Sequence, residues 1–223
     1  MSVPIAPPSG SRETAFRIAN WDTPLRVNSN RSAGRYNHAG SPATQYFCLH
    51  PLGPWTEYLR ANDLSEPPDL AEYRLRIWAV RLDLSAAVEI HFGNAVEFGL
   101  TAEDLVSDDH APCRQLGERL RSDATGPHTI IVPSAALPGA RNAVIFGERV
   151  AMAYSMPPRD AWDLPSSILA ERSRPPEGIE SAVRFRGAPH PELESWLAGR
   201  PFSAPETVAI GDLARLRWPE EGA

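Results

Sequence analysis

The sequence contains no lysine, and all 22 of its basic residues are arginines. This absence excludes three chemistries that depend on a lysine amine: the phosphate-binding P-loop, Schiff-base catalysis and the kinase phosphotransfer site. An anionic ligand must therefore be held by arginine side chains, backbone amides or hydroxyl groups. Arginine suits this task because its planar guanidinium pairs with two oxygens at once and keeps its charge at every working pH.

Cysteine is almost as scarce, since Cys48 and Cys113 are the two that occur. They lie far apart and form no CxxC pair, which excludes a disulfide scaffold and a cysteine zinc site. The six histidines are spaced irregularly and show no metal-ligand pattern. We therefore expect no bound metal.

Long apolar runs and clusters of positive charge are also missing. No apolar segment approaches the eighteen or so residues that cross a bilayer, and residues 1–10 lack the basic and apolar regions of a signal peptide. The net charge is −6 and the arginines are dispersed, unlike the basic patches of nucleic-acid binders. We expect a cytoplasmic protein that binds neither membranes nor nucleic acid.

Composition and length indicate one globular domain with an appendage. Hydrophobic residues make up 42% of 223 residues, enough for a single core. After Met156 the composition changes, because prolines interrupt each short segment that has helical or strand-like periodicity. We predict a compact domain over residues 13–155 and a proline-rich extension over 156–223, in which residues 192–197 and 210–218 are apolar enough to dock on the main body or on a partner.

Hydrophobic periodicity predicts a mixture of short strands and helices. The predicted strands are residues 13–20, 44–49, 73–84, 128–132 and 142–146, the third of them half-buried. The predicted helices begin at Pro54, at Thr101 and at Pro112, the last two running to residues 105 and 122. Strands and helices do not alternate regularly, which favours an α+β fold over a doubly wound sheet.

One polar loop leads into a set of spaced motifs. Residues 32–42 read Ser-Ala-Gly-Arg-Tyr-Asn-His-Ala-Gly-Ser-Pro, and the next strand contains Tyr46. Glu57 follows in the predicted helix, 57 − 35 = 22 positions after Arg35. Further along, residues 132–135 read Val-Pro-Ser-Ala, ahead of Asn142.

These motifs resemble those of RES domains. That family opens with Gly-Arg-aromatic-Asn, Gly-x-Pro, a tyrosine-containing strand and a glutamate-bearing helix, and it closes with a strand ending in Leu-Asp-Leu, a Pro-Ser-Ala and an asparagine. The arginine, glutamate and serine of its name are matched here by Arg35, Glu57 and Ser134. The resemblance covers residues 13–150 and excludes the extension.

The resemblance implies a fold similar to ADP-ribosyltransferase domains, with mixed or antiparallel sheets and flanking helices. It implies an enzyme that consumes NAD by hydrolysis or phosphorolysis of the nicotinamide glycosidic bond, as a toxin restrained by an antitoxin of the Xre type. Some relatives instead transfer ADP-ribose to a protein. Formation of a homo-oligomer is left open.

Physical chemistry assigns roles to these residues. Glu57 is expected to stabilise the oxocarbenium-like ribose as the bond breaks, and Arg35 to pair with the pyrophosphate. Ser134 joins them in the expected catalytic set on the family pattern. Arg17 is a second candidate for the pyrophosphate, because related domains place a ligand-binding arginine on the first strand. The remaining expected contacts with NAD come from Tyr36, Tyr46, Ser134 and Asn142.

Other interpretations remain at this stage. An isolated loop arginine is usually a solvated residue, and a glutamate near a helix N-terminus usually interacts with the helix dipole. The same site could transfer ADP-ribose to a macromolecule. The chain could also be a non-catalytic or autoinhibited module whose extension covers the cleft.

Overall fold

The computed structural model describes residues 12–19, 32–66, 70, 72–147 and 167–205. Within these residues, seven strands and three α-helices are formed. The strands are β1 (Arg12–Ile18), β2 (Thr44–Cys48), β3 (Leu75–Asp83), β4 (Val88–Glu89), β5 (Thr129–Pro133), β6 (Arg141–Phe146) and β7 (Ser167–Ser173). The helices are α1 (Gly53–Asn62), α2 (Ala111–Ser122) and α3 (Pro191–Leu197), and two 3-10 turns cover Ala95–Phe98 and Ile179–Ala182.

All seven strands belong to one mixed sheet, in the order β4-β5-β6-β2-β1-β3-β7. Every neighbouring pair is antiparallel except β4 and β5, which are parallel. A parallel pair needs a long connection, and the segment between these two strands contains α2. The predicted α+β fold, with a mixed sheet and flanking helices, is confirmed.

Strand β3 lies inside the sheet and is covered on both faces. The sequence predicted a half-buried strand, and this was wrong because alternate residues of β3 pack into two different core clusters. One cluster contains Leu75, Ile77 and Ala79 beside Trp55 and Leu59 of α1, and the other contains Trp78, Val80, Leu82 and Leu84. Side chains of a strand alternate between faces, so both clusters share one strand.

The predicted helix at residues 101–105 is a series of turns. Its capping pattern does form, since Thr101 N donates to Asp104 Oδ2 at 2.7 Å and Asp104 N donates to Thr101 Oγ1 at 3.2 Å. However, the carbonyl oxygen of Asp104 accepts from Arg35 and Cys113, and that of Val106 accepts from Arg184. These side-chain donors take the place of the next helical hydrogen bonds.

The part of the chain after residue 166 contributes a strand and core residues. β7 pairs with β3, and Ile179 and Val183 are buried in the same cluster as α1. The sequence did not predict β7 or the two-residue β4. The domain division at residue 156 stays a prediction, and the apolar segment 210–218 lies outside the described residues.

No helix within the described ranges has the length and apolar character needed to cross a membrane.

Candidate functional site

A cleft beside α1 gathers most of the residues that the sequence singled out. We call it the Glu57 cleft, and it holds about 250 Å³. It is lined by Gly34, Arg35, Tyr36, Tyr46, Glu57, Arg60, Ala61, His110, Val132, Pro133, Ala135, Asn142, Val144 and Arg186. This volume is below the ~300–1,000 Å³ typical of pockets for drug-sized ligands, so it suits one half of a dinucleotide rather than the whole.

The carboxylate of Glu57 is held by two side chains from the far half of the chain. Its Oε1 accepts from Asn142 Nδ2 at 2.9 Å and from Ser134 Oγ at 3.4 Å. Asn142 stands opposite Val132 in the β5–β6 ladder, and Ser134 directly follows β5. This register brings both groups to the same end of the β5–β6 strand pair, where they fix the orientation of the carboxylate.

Ser134 is itself fixed by the backbone around it. Its hydroxyl accepts from Leu137 N at 3.1 Å, its amide donates to Ala140 O at 2.9 Å, and its carbonyl pairs with His190 Nε2 at 3.1 Å. The side chain is fully buried and does not line the cleft. Its position therefore suits a residue that orients Glu57.

The Gly-Arg-Tyr-Asn loop is held by the hydroxyl of Tyr46. This hydroxyl accepts from Tyr36 N at 2.9 Å and donates to Asn37 Oδ1 at 2.7 Å. A Cβ at Gly34 would lie 2.5 Å from Asn37 Oδ1 and 2.7 Å from Tyr46 Oη, so the loop requires glycine there. Burial raises the pKa of Tyr46 to about 12, and the hydroxyl stays a donor at neutral pH. The ring of Tyr46 is the part that remains for a ligand.

Tyr36 packs against helix α2. Its side chain is buried in a core cluster with Cys113, and its carbonyl accepts from Arg121 Nη2 at 2.9 Å. A Cβ at Gly117 would overlap that carbonyl oxygen, so the packing of α2 against the loop requires glycine at this position. Tyr36 therefore forms part of the cleft wall, and its packing in the core holds that part of the wall in place.

Three arginines and one histidine line the same cleft. Arg35 is half-buried, and its Nη1 donates a long hydrogen bond, at 3.4 Å, to Asp104 O. Arg60 lies one turn after Glu57 on α1, and Arg186 comes from the loop before α3. Burial, assisted by the nearby positive charges of these arginines, lowers the pKa of His110 to about 4. His110 is therefore neutral at pH 7, and the positive charge of the cleft comes from guanidinium groups.

Sequence reasoning missed Arg60, His110 and Arg186. Arg60 follows Glu57 by three positions, and this helical spacing would have placed it on the same face of α1. Arg186 lies C-terminal to the RES-like motifs, and no sequence pattern near it indicates a site. His110 precedes α2 as an isolated histidine with no local signal.

Arg17 packs against side chains of β2 and does not line the Glu57 cleft. Its Nη1 donates to Gln45 Oε1 at 3.0 Å, and its guanidinium carbon lies 5.4 Å from the centre of the Phe47 ring. Burial lowers its pKa. The structure therefore brings Arg35, Tyr36, Tyr46, Glu57, Ser134 and Asn142 together and leaves Arg17 outside the lining of the Glu57 cleft.

Across the described part of the chain, no three His, Cys, Asp or Glu side chains are grouped so as to hold a metal ion.

Comparison with known proteins adds a family match to this geometry. The RES domain family model matches residues 14–167. Among solved structures, the chain is similar to a chain of the crystal structure of the M. tuberculosis MbcT–MbcA toxin–antitoxin complex, at 19% identity and a TM-score of 0.49. That alignment covers 72% of this chain and 82% of the other. No curated protein matches the sequence.

Proposed function

The chain belongs to the RES-domain family, and from this membership we propose that it cleaves the nicotinamide glycosidic bond of NAD as the toxin of a toxin–antitoxin pair. Glu57 and Arg35 are the residues that we assign to catalysis and binding, with Ser134 as the group that orients Glu57. Tyr36, Tyr46 and Asn142 shape the pocket. The extension contributes Arg186 to the same cleft.

The observation that carries this proposal is the setting of Glu57. Its carboxylate is oriented by Asn142 and Ser134, in a cleft that three guanidinium groups also line. Glu57 Oε2 makes no hydrogen bond to any described residue, so one carboxylate oxygen remains available to a ligand. A negative charge beside positive groups suits a substrate that develops a cation next to a pyrophosphate.

Cleavage of the nicotinamide glycosidic bond requires few catalytic groups beyond an oriented carboxylate. Nicotinamide leaves as a neutral molecule from a cationic ring, so no acid has to protonate the leaving group. As the C–N bond lengthens, positive charge grows on the ribose, and a carboxylate fixed in advance stabilises that charge without reorganising. Asn142 and Ser134 supply that fixation, since each donates to the same oxygen of Glu57.

The pyrophosphate of NAD is recognised by charge and geometry. The whole chain has a net charge of −6, so attraction of an anion has to be local. Arg35 is suited to this task because its long hydrogen bond to Asp104 O leaves most of its donors for two phosphate oxygens. Stacking of a base or of nicotinamide would use the ring of Tyr46, whose hydroxyl is already engaged by the loop.

A Glu57→Gln variant tests the assignment. Glutamine keeps a carbonyl oxygen that accepts from Asn142 Nδ2 but lacks the charge, so the protein should fold while nicotinamide release from NAD falls by about 100-fold or more. The measurement is chromatographic detection of nicotinamide and its partner product. The exposed Glu66→Gln is the matched control and should keep the wild-type rate. A Glu57→Gln rate equal to wild type would reject the role of Glu57.

The acceptor is identified in the same reaction. NAD labelled in the adenylate half yields free ADP-ribose if water attacks, a phosphorylated ADP-ribose if phosphate attacks, and a labelled protein if a side chain attacks. We propose attack by water or phosphate, in line with the family's NAD-degrading members. Label on a protein band would replace this proposal by ADP-ribosyl transfer.

The toxin role has its own test. Expression of the wild-type chain in a bacterial host should deplete NAD and arrest growth, whereas Glu57→Gln should do neither. Co-expression of an Xre-type antitoxin should restore growth. Growth arrest that persists in Glu57→Gln would separate toxicity from NAD cleavage.

A further inference from the structure

Arg186 reaches the Glu57 cleft from a segment beyond the residues matched by the family model, which ends at residue 167. Its side chain is exposed. Among the described residues, no partner forms a hydrogen bond or ion pair with its guanidinium. A solvent-facing cation at the edge of a cleft is available to a ligand, provided that the backbone carrying it is held in place.

The backbone on both sides of Arg186 is held tightly. Arg184 donates from Nε to Ala188 O at 2.9 Å and from Nη1 to Asp108 Oδ1 at 2.9 Å. Gly187 N donates to the other oxygen of Asp108 at 2.7 Å, in a left-handed conformation with φ of +78°. The segment 184–188 thus closes on itself around one carboxylate.

The same segment is tied to the helix that carries Glu57. Arg60 Nη1 donates to Arg184 O at 2.8 Å, and Arg60 Nη2 pairs with Asp108 Oδ1. Just before the segment, Val183 packs in the core cluster of α1. Arg186 is therefore fixed relative to Glu57 through Arg60 and not through the polar loop of Arg35.

The balance of charge around this segment is positive. Asp108 is one carboxylate shared by Arg60 and Arg184, so this trio keeps a net charge of +1. Arg186 and Arg35 add two further cations to the same cleft. Doubly charged phosphate esters are the ligands that such a set recognises, because each guanidinium can pair with two oxygens.

We propose that Arg186 binds the pyrophosphate of the dinucleotide, so that the substrate site of this chain is completed by residues 184–188. This inference rests on the proposed function, since it takes NAD to be the substrate. Arg60 and Asp108 act as positioning residues that hold the segment against α1. Arg186 provides a second phosphate contact in addition to that of Arg35.

The experiment compares Arg186→Ala and Arg186→Lys with wild type, and uses exposed Arg200→Ala as the matched control. We expect Arg186→Ala to raise KM for NAD about tenfold while kcat stays within about twofold, because a phosphate contact contributes equally to the ground and transition states. Arg186→Lys should recover part of the loss, and Arg200→Ala should match wild type. The ratio of the Arg186→Ala KM to the wild-type KM should decrease as ionic strength rises, because salt screens the attraction between Arg186 and the phosphates.

Titration of the same proteins with ADP-ribose separates this inference from the proposed function. ADP-ribose carries the pyrophosphate without nicotinamide, so calorimetry reports binding even if no turnover occurs. Weaker binding to Arg186→Ala than to wild type supports the inference, whatever the fate of NAD. Equal binding to both proteins, no binding to either, or an unchanged KM in Arg186→Ala would overturn it.

Discussion

Polar contacts of single side chains decide the shape of the cleft, and Tyr46 is the example with the most consequence. Its hydroxyl satisfies the Tyr36 amide and the Asn37 side chain at once, both within the loop that carries Arg35. The sequence predicts that the same tyrosine contacts NAD. Its hydroxyl supports the loop from the side of β2, whereas Arg114 and Arg121 hold the Gly34 and Tyr36 carbonyls from the side of α2.

Replacing Tyr46 by phenylalanine should therefore cost stability. The change leaves a buried amide without an acceptor, which costs about 1–3 kcal/mol in the free energy of unfolding. Urea denaturation with an unchanged m-value measures the effect. Tyr58→Phe is the matched control, because its hydroxyl bonds to no described residue. Wild-type stability together with a raised KM for NAD would instead mean that the Tyr46 hydroxyl contacts the substrate.

Helix α2 packs against the loop that carries Arg35 at a glycine, Gly117. α2 contains Gly117 in its interior, a position where alanine normally stabilises a helix by about 1 kcal/mol. Here a Cβ would overlap Tyr36 O, and that carbonyl belongs to the Gly-Arg-Tyr-Asn loop. The helix and the loop therefore have to separate if any side chain is added.

Gly117→Ala should consequently destabilise the protein by about 2 kcal/mol or more, against the helix propensity. Nicotinamide release should fall as well, because the displaced loop carries Arg35. Thermal unfolding and the NAD assay measure the two effects. Gln115→Ala, exposed on the same helix, should be neutral or slightly stabilising. A stabilised Gly117→Ala protein would contradict the packing described for α2.

The start of α3 is sensitive to acid through His190. Its Nδ1 accepts from Leu193 N at 3.3 Å and its Nε2 pairs with Ser134 O at 3.1 Å, an arrangement that requires the neutral ring. Burial, with the charges of Arg184 and Arg60, lowers its pKa from 6.5 to about 4. Between pH 6.5 and about pH 4, His190 is therefore protonated in the unfolded chain but neutral in the folded protein.

Stability should accordingly fall as the pH drops from 7 towards 4, by ~2–4 kcal/mol for this residue. The pKa of His110 is lowered to about 4 as well and adds to the slope. Chemical denaturation across this pH range measures it. His190→Asn should flatten the slope at some cost in stability at pH 7, and exposed Gln115→Ala, which changes no titratable group, should leave the slope unchanged. The same slope in His190→Asn as in wild type would contradict the neutral, buried ring.

At the scale of the whole molecule, the described residues after 166 behave as part of the main body. β7 forms the edge of the sheet against β3, and Ile179 and Val183 fill the core under α1. Burying each such apolar side chain contributes about 1.5–3 kcal/mol. The segment also supplies Arg186 to the cleft, so one stretch serves both packing and the proposed binding.

A chain ending at residue 155 should therefore be insoluble or unfolded, because it exposes β3 and the core beside α1. A chain ending at residue 205 keeps every described strand and helix, so it is the control and should stay folded. Soluble yield, circular dichroism and NAD turnover distinguish the two. A truncated chain that is folded and turns over NAD faster than the full chain would mean that the extension inhibits the enzyme.

The sequence by itself determined what depends on neighbours along the chain. Alternation and apolar spacing predicted β1, β2, β3, β5, β6, α1 and α2, and the spaced motifs identified Arg35 and Glu57 as residues that share a cleft. Such signals are local, because backbone periodicity and turn chemistry act over a few residues. The failure at residues 101–105 has the same origin, since the donors that replace the helix come from distant segments.

Only the tertiary structure decided which distant groups meet. Asn142 and Ser134 contact Glu57 across 85 and 77 positions of the chain, and Arg186 enters the cleft from outside the family match. Arg17 does not line the cleft, even though its strand was predicted. These outcomes depend on strand order, register and the docking of loops, which follow from burying both faces of one sheet at once. No local pattern encodes that arrangement, because its free energy is shared among residues far apart in the chain.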